Sequence, residues 1–248
     1  MAFNINWYET VDSTNSEALK KFSKSDDFTV FAARYQTSGR GQKGTSWESE
    51  EGKNLTFSLL LKPDTLKAEN QFVIAQIVTV AIKRYLKSRG VEATIKWPND
   101  IYVDDLKICG ILIEHFLAGD TLSGSVIGVG LNINQEKFVS GAPNPVSLKQ
   151  ITGKEYDLEE ELEALLGAIY EIYYPYVNFL SNSLIAKLEK EYHESLYRLD
   201  ELHKYQETPG GDVITARIRG IDQNACLLLE QEDGTVRRYH FKEIKYIL

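Results

Sequence analysis

Cysteine is scarce: the 248-residue chain has two, Cys109 and Cys226, far apart and in unlike surroundings. That excludes a disulfide framework, and both are expected to be free, buried thiols. Histidine is equally sparse. His115, His193, His203 and His240 show no metal-ligand spacing, so no metal site is expected among them. Long apolar runs are missing too. The most apolar stretch, around residues 72–86, is interrupted by Gln76, Lys83 and Arg84. This suits a buried amphipathic helix and is too polar for a membrane span. The opening MAFNINWYETVDSTN has no basic leader followed by an apolar segment, so a cytoplasmic location is expected. Positive charge is in deficit: 28 Lys and Arg face 36 Asp and Glu, a formal net charge of −8. A phosphate backbone needs a positive field, so nucleic acid is not the expected partner.

What is present suits a globular chain of one large and one small domain. Hydrophobic residues make up 43% and charged residues 26%, enough to bury a sizeable core. Thr14 and Glu17 fit a capping box, predicting a helix from Thr14 to about Phe22. Residues 28–35 and 54–61 read as buried strands. A helix over 70–88 is closed by Gly90. Short strands follow at 94–97, 101–103, 107–116 and 122–133, with turns at Asp104-Asp105 and Gly119-Asp120. Asp157 with Glu160 predicts another helix start, and Pro175 is expected to kink or end that helix. A further helix covers about 184–196. Near 208 the texture changes to alternating β-formers and turns, which predicts a C-terminal module of about five short strands. The expected division is 1–207 and 208–248.

Residues 39–44, Gly-Arg-Gly-Gln-Lys-Gly, match G-x-G-x-x-G. A dinucleotide fold needs that motif to open a helix. Here a polar, turn-prone stretch follows, so that reading fails. Kinase and P-loop readings fail as well, because their partner motifs are absent. The loop still offers free backbone N–H groups beside Arg40 and Lys43, an anion-binding combination.

Three further clusters carry chemistry. Lys96-Trp97-Pro98-Asn99-Asp100 holds an amide and a carboxylate on a restrained backbone, suited to ribose, phosphate or hydrated Mg²⁺. Lys107 precedes a hydrophobic strand in which Gly110 permits close approach of a ligand. Gly128-Val129-Gly130-Leu131-Asn132-Ile133-Asn134 places two glycines on one strand face. Taken singly, each is a common turn, surface or packing element.

In combination and in this order, they resemble the biotin–protein ligase family. The matching pieces are Ser13-Thr14-Asn15, Gln36 to Gly41, Trp47, Lys96 to Asp100, Lys107 to Glu114 and Gly128 to Asn134. The resemblance implies an α+β fold: a class II aminoacyl-tRNA synthetase-like catalytic domain with a C-terminal SH3-like β-barrel. It implies ATP with Mg²⁺ and biotin as substrates, and a biotin carboxyl carrier protein as acceptor. No nucleic acid or membrane partner is implied, and the chain would be a monomer or homodimer. Ser13, Thr14, Asn15, Gln36, Gly39 and Gly110 would meet biotin. Arg40 and Lys107 would serve the reacting centre. Gly41, Gln42, Trp47, Asn99, Asp100 and Asn132 would line the nucleotide side with Arg40. Many family members carry arginine where this chain has Gln42, and often a basic residue in place of Thr45. The stretch 39–52 is expected to order over bound ligand. The competing readings are a lipoate–protein ligase, which shares fold and chemistry, and a biotin-dependent transcriptional repressor. The Trp-Pro-Asn-Asp tetrapeptide favours biotin. A Ser-Thr-Asn cluster starting at residue 13 leaves no space ahead of it for a winged helix.

Overall fold

The near-continuous apolar run at 55–61 becomes a strand buried along its whole length. In the computed structural model, residues 2–42, 45–63, 66–139, 144–179 and 181–247 are described. Lys43 and Gly44 of the glycine loop lie outside that set. The strands of the first sheet are β1 (Asn4–Val11), β2 (Thr29–Gln36), β3 (Leu55–Leu61), β4 (Thr94–Lys96), β5 (Asp100–Val103), β6 (Leu106–Ala118) and β7 (Thr121–Leu131). Their order is β1-β2-β3-β7-β6-β5-β4. Only β1 and β2 pair in parallel; the other pairs are antiparallel.

Strand alternation divides the sheet into two faces. Leu55, Phe57, Leu59, Leu61, Ile127, Val129 and Leu131 belong to the main core. That core also takes the buried sides of α2 (Phe72–Ser88) and α4 (Leu158–Asn178). Each large side chain so buried contributes about 1.5–3 kcal/mol. The opposite face is only partly covered. There α1 (Thr14–Lys21) sets Ala18 on Phe31, Leu60 and Val126. The rest of that face is left open.

Local signals explain most helix ends. α3 (Leu148–Thr152) opens on a full capping box between Ser147 and Gln150, and Gly153 closes it at φ 73°. Asp157 caps α4 by accepting from the backbone N–H groups of Glu159 and Glu160 at 2.9 and 3.0 Å. α5 (Asn182–Glu194) starts from Ser181. The capping box expected at Thr14 does not form. Ser13 is the N-cap, without a side-chain cap bond, and the Thr14 hydroxyl is turned to Gln36 and Ser58 instead. Pro175 does not end α4 either. Buried Tyr173 and Tyr176 flank it, and the helix runs on to Asn178.

The second sheet has the order β11-β10-β9-β8-β12 and is antiparallel throughout. Its strands are β8 (Leu202–Glu207), β9 (Val213–Ile221), β10 (Leu227–Gln231), β11 (Val236–Tyr239) and β12 (Ile244–Tyr246). β8 therefore lies ahead of the textural change at 208. Residues 195–197 tie the two sheets together: Ile95 donates to Ser195 O at 2.7 Å and Tyr197 to Ile95 O at 2.9 Å. Tyr102, Tyr197, Tyr246 and Tyr205 continue the join as a chain of ring contacts.

Candidate active site

Strand register builds the floor of a cavity on the open face. Gly110 pairs with Gly130 and Leu112 with Gly128, while Thr56 and Ser58 of β3 pair with the same two β7 glycines. A Cβ on Gly128 would stand 2.2 Å from Asn15 Oδ1. One on Gly130 would stand 2.2 Å from Trp47 Cε2, and one on Gly110 2.7 Å from Trp47 Cζ3. The missing side chains let α1 and the glycine loop come down onto the sheet backbone. Above this floor lies a cavity of about 560 Å³.

One end of it is a polar network. Ser58 Oγ lies 2.6 Å from Asn15 Oδ1 and 2.8 Å from Thr14 Oγ1. Gln36 Oε1 accepts from the Thr14 backbone N–H at 2.8 Å and from its hydroxyl at 3.2 Å. Asn15 Nδ2 donates to Glu114 at 2.9 Å. Arg40 grips the same carboxylate with both guanidinium arms, at 2.9 and 3.2 Å.

The other end holds a second cation on a second carboxylate. Lys107 Nζ is 2.7 Å from Asp100 Oδ2 and 5.8 Å from the centroid of the Trp47 ring. Asn132 is buried, with its Nδ2 donating to Val146 O at 3.0 Å and its Oδ1 without a donor among the described residues. Trp47 Nε1 is likewise buried without an acceptor. Lys96 and Tyr102 complete this end, and burial pushes the Lys96 ammonium down to about 8. Cys109 points to the core from β6, the strand that carries Lys107. Burial among apolar side chains drives its thiol well above the ordinary range.

Ser13, Thr14, Asn15, Gln36, Arg40, Gly41, Gln42, Trp47, Asp100, Lys107, Gly110 and Asn132 all line this one cavity. Gly39 and Asn99 stand behind its wall. A Cβ on Gly39 would be 2.5 Å from Trp47 O, and Asn99 braces the loop by donating to Ile111 O and accepting from Gln42 Nε2. Sequence reasoning gave no role to Lys96, Ser58, Tyr102 or Glu114. Period-two counting from Gly110 reaches Glu114, so that carboxylate had a readable signal. Ser58 and Tyr102 had none, because each is brought in by pairing with a distant strand.

A cavity that presents two carboxylate-paired cations beside a glycine-rich loop is chemically suited to anionic ligands. Residues 7–132 match the biotin/lipoate A/B protein ligase family. The chain belongs to that family. It is 29% identical over 246 residues to the bifunctional ligase/repressor BirA of Escherichia coli, covering 94% of this chain and 71% of that one. It is 32% identical over 163 residues to the biotin–[acetyl-CoA-carboxylase] ligase of Paracoccus denitrificans, covering 63% of this chain and 68% of that protein. The biotin protein ligase of Aquifex aeolicus, solved with biotin and ATP, superposes with a TM-score of 0.80 at 27% identity, over 98% of this chain and 99% of that one.

Proposed function

We propose that this chain activates biotin with ATP as biotinyl-5′-adenylate and transfers it to a lysine of a biotin carboxyl carrier protein. The observation that carries the reading is that Arg40, paired with Glu114, and Lys107, paired with Asp100, line one cavity. Both cations are held ready on internal carboxylates that an incoming carboxylate and phosphate can replace.

In the first step a biotin carboxylate oxygen bonds to the α-phosphorus of ATP. The bond from that phosphorus to the bridging oxygen breaks, and its electron pair leaves on pyrophosphate. Arg40 offers a planar fork that spans two oxygens, and Lys107 offers a point charge. Together they offset the repulsion between the two anions and stabilise the charge that develops between them. In the second step a neutral lysine amine attacks the carbonyl carbon of the mixed anhydride, AMP departs with the bonding pair of the broken C–O bond, and the nitrogen releases a proton to solvent. Neither step requires a nucleophile on the enzyme.

Ser13 and the polar network of Thr14, Asn15, Gln36 and Ser58 supply donors and acceptors for the biotin ring system. The orphan Asn132 Oδ1 is open to an amine donor on the nucleotide. Trp47 closes over the nucleotide, and its unsatisfied N–H favours an indole that shifts when ligand arrives. Among the described residues no group of three His, Cys, Asp or Glu side chains is placed to hold a metal. Asp100 alone suits a Mg²⁺ carried on the nucleotide, since that ion takes one or two carboxylates and otherwise phosphate and water. Bound there, Mg²⁺ would neutralise phosphate charge.

Mass spectrometry of a carrier domain incubated with enzyme, ATP and biotin tests this. A biotinyl mass increase on one lysine is expected, and none with a carrier that a known ligase can modify would sink the proposal. Pyrophosphate exchange driven by biotin and not by lipoate separates the two ligase readings.

A further inference from the structure

Lys96 is a half-buried cation that the steps above leave unused. It ends β4, and its Nζ donates to the Tyr102 hydroxyl at 2.9 Å. It lies 4.5 Å from the centroid of the Tyr102 ring and 5.0 Å from that of Tyr246. Two aromatic rings thus hold the ammonium in place. One of them belongs to β12, so the second sheet helps to fix a residue of the cavity wall.

What Lys96 lacks is an anion. Its neighbour Asp100 is engaged by Lys107 at 2.7 Å, and among the described residues Lys96 forms no ion pair of its own. Desolvation lowers its proton affinity, with Asp100 only partly opposing and Lys107 adding to the effect. A partly buried cation without a counter-ion is costly unless an anion arrives to meet it. One N–H is taken by Tyr102, which leaves donor capacity on an ammonium that has three.

We propose that Lys96 binds the polyphosphate end of the nucleotide and carries the charge of the departing pyrophosphate, and that Tyr246 is the residue that positions it. The inference rests on the adenylating function above. Breaking the bond at the α-phosphorus moves an electron pair onto pyrophosphate, and a fixed cation beside Lys107 meets that charge as it forms. Lys96 therefore acts in the first half-reaction and not in the transfer to the carrier.

Biotin-dependent ATP–pyrophosphate exchange tests this with Lys96→Met, which keeps an unbranched apolar side chain. The KM values for ATP and pyrophosphate should rise about 10- to 100-fold, the loss of one charged hydrogen bond. The KM for biotin and the rate of transfer from preformed biotinyl-adenylate should stay close to wild type, and Lys96→Arg should recover part of the loss. An unchanged pyrophosphate KM, or an equal fall in the transfer rate, overturns the proposal. Calorimetry with pyrophosphate alone gives a reading without turnover, and equal affinity in wild type and Lys96→Met would count against it. Among the described residues the Tyr246 hydroxyl has no hydrogen-bond partner, so Tyr246→Phe keeps the ring and should retain the low KM for ATP. Tyr246→Leu should raise that KM about threefold to tenfold, with biotin KM unchanged. If the Phe and Leu variants behave alike, Tyr246 does not position Lys96. Wild-type enzyme that shows no biotin-dependent exchange would instead refute the underlying function, so the two failures read apart.

Discussion

Lys107 and Arg40 reach the same cavity from backbones held in different ways. Lys107 lies at the start of β6, paired with Tyr102 on one side. On its other side its N–H donates to Asn144 O at 2.7 Å and its carbonyl accepts from Val146 N at 3.0 Å. Arg40 sits on a loop secured by an isolated bridge to Ser46 and a few turn bonds, such as Gly41 N to Thr45 O at 3.1 Å. Its firmest anchor is its own side chain on Glu114. The strand-borne cation is a fixed reference, whereas the loop-borne one can engage and release. A reaction that must admit substrates, shield an anhydride from water and then open to a protein lysine needs both kinds.

Removing either cation breaks the comparison most severely. Lys107→Ala and Arg40→Ala should each cost about 2–4 kcal/mol of transition-state stabilisation, read as a fall in biotin-dependent pyrophosphate exchange. Only Arg40→Ala should also speed loss of the adenylate to solvent. If the two variants release it equally fast, loop and strand do not differ in the way described.

Gly130→Val attacks the seat of the loop and leaves both cations in place. The added side chain strikes Trp47, whose Cε2 would lie 2.2 Å from the new Cβ. Overpacking of this kind costs about 1–3 kcal/mol and should appear as weaker ATP binding in calorimetry. Unchanged ATP affinity would mean that Trp47 does not cover the nucleotide.

Hydrogen exchange sharpens the contrast without mutation. Amides in 39–52 should gain protection when biotin and ATP bind, while those of β6 and β7 should hardly change. Equal protection of 39–52 with and without ligands would remove the lid from the mechanism.

The smallest expected effect concerns how dry the sheet is. His115 on β6 lies 2.8 Å from Ser125 Oγ on β7, and burial lowers its imidazole to about 4. The unfolded chain binds a proton near pH 6.5 and the folded one does not. Stability should therefore be unaffected by this group above pH 6.5 and fall between pH 6.5 and 4, by about 2 kcal/mol once partial exposure is allowed for. His115→Gln should flatten that part of a denaturation series, and an unaltered slope would show the ring to be accessible to protons.

Features set by near neighbours in the chain were legible. Periodicity revealed the main helices and the long strands, and the motif order drew most of the cavity wall from the sequence. What escaped depends on distant pairing. Gly110 reads as room for a ligand and the glycines of β7 as a packing element, and nothing local shows that Trp47 descends onto Gly110 and Gly130. Thr14 looks like a cap until Gln36 and Ser58 arrive to take its hydroxyl. β1, with Asn4 and Asn6 breaking its apolar pattern, gave no strand signal. Tyr246 stands far along the chain from the lysine it touches. Gly39 and Asn99 carry the right motif but stand outside the cavity lining, because tertiary pairing turns the Asn99 amide to Ile111 O and Gln42 and sets Gly39 against the Trp47 carbonyl.

The grip of Glu114 on Arg40 has a consequence for selectivity. An internal carboxylate competes for the guanidinium at an effective concentration on the order of millimolar or more. Any ligand must outbid it, and only a rival anion replaces the lost pairing in kind. An uncharged analogue that fills the ring pocket equally well leaves that internal pair intact and recruits no cation. The resting ion pair thus works as a filter on ligand charge before any bond to phosphorus is made.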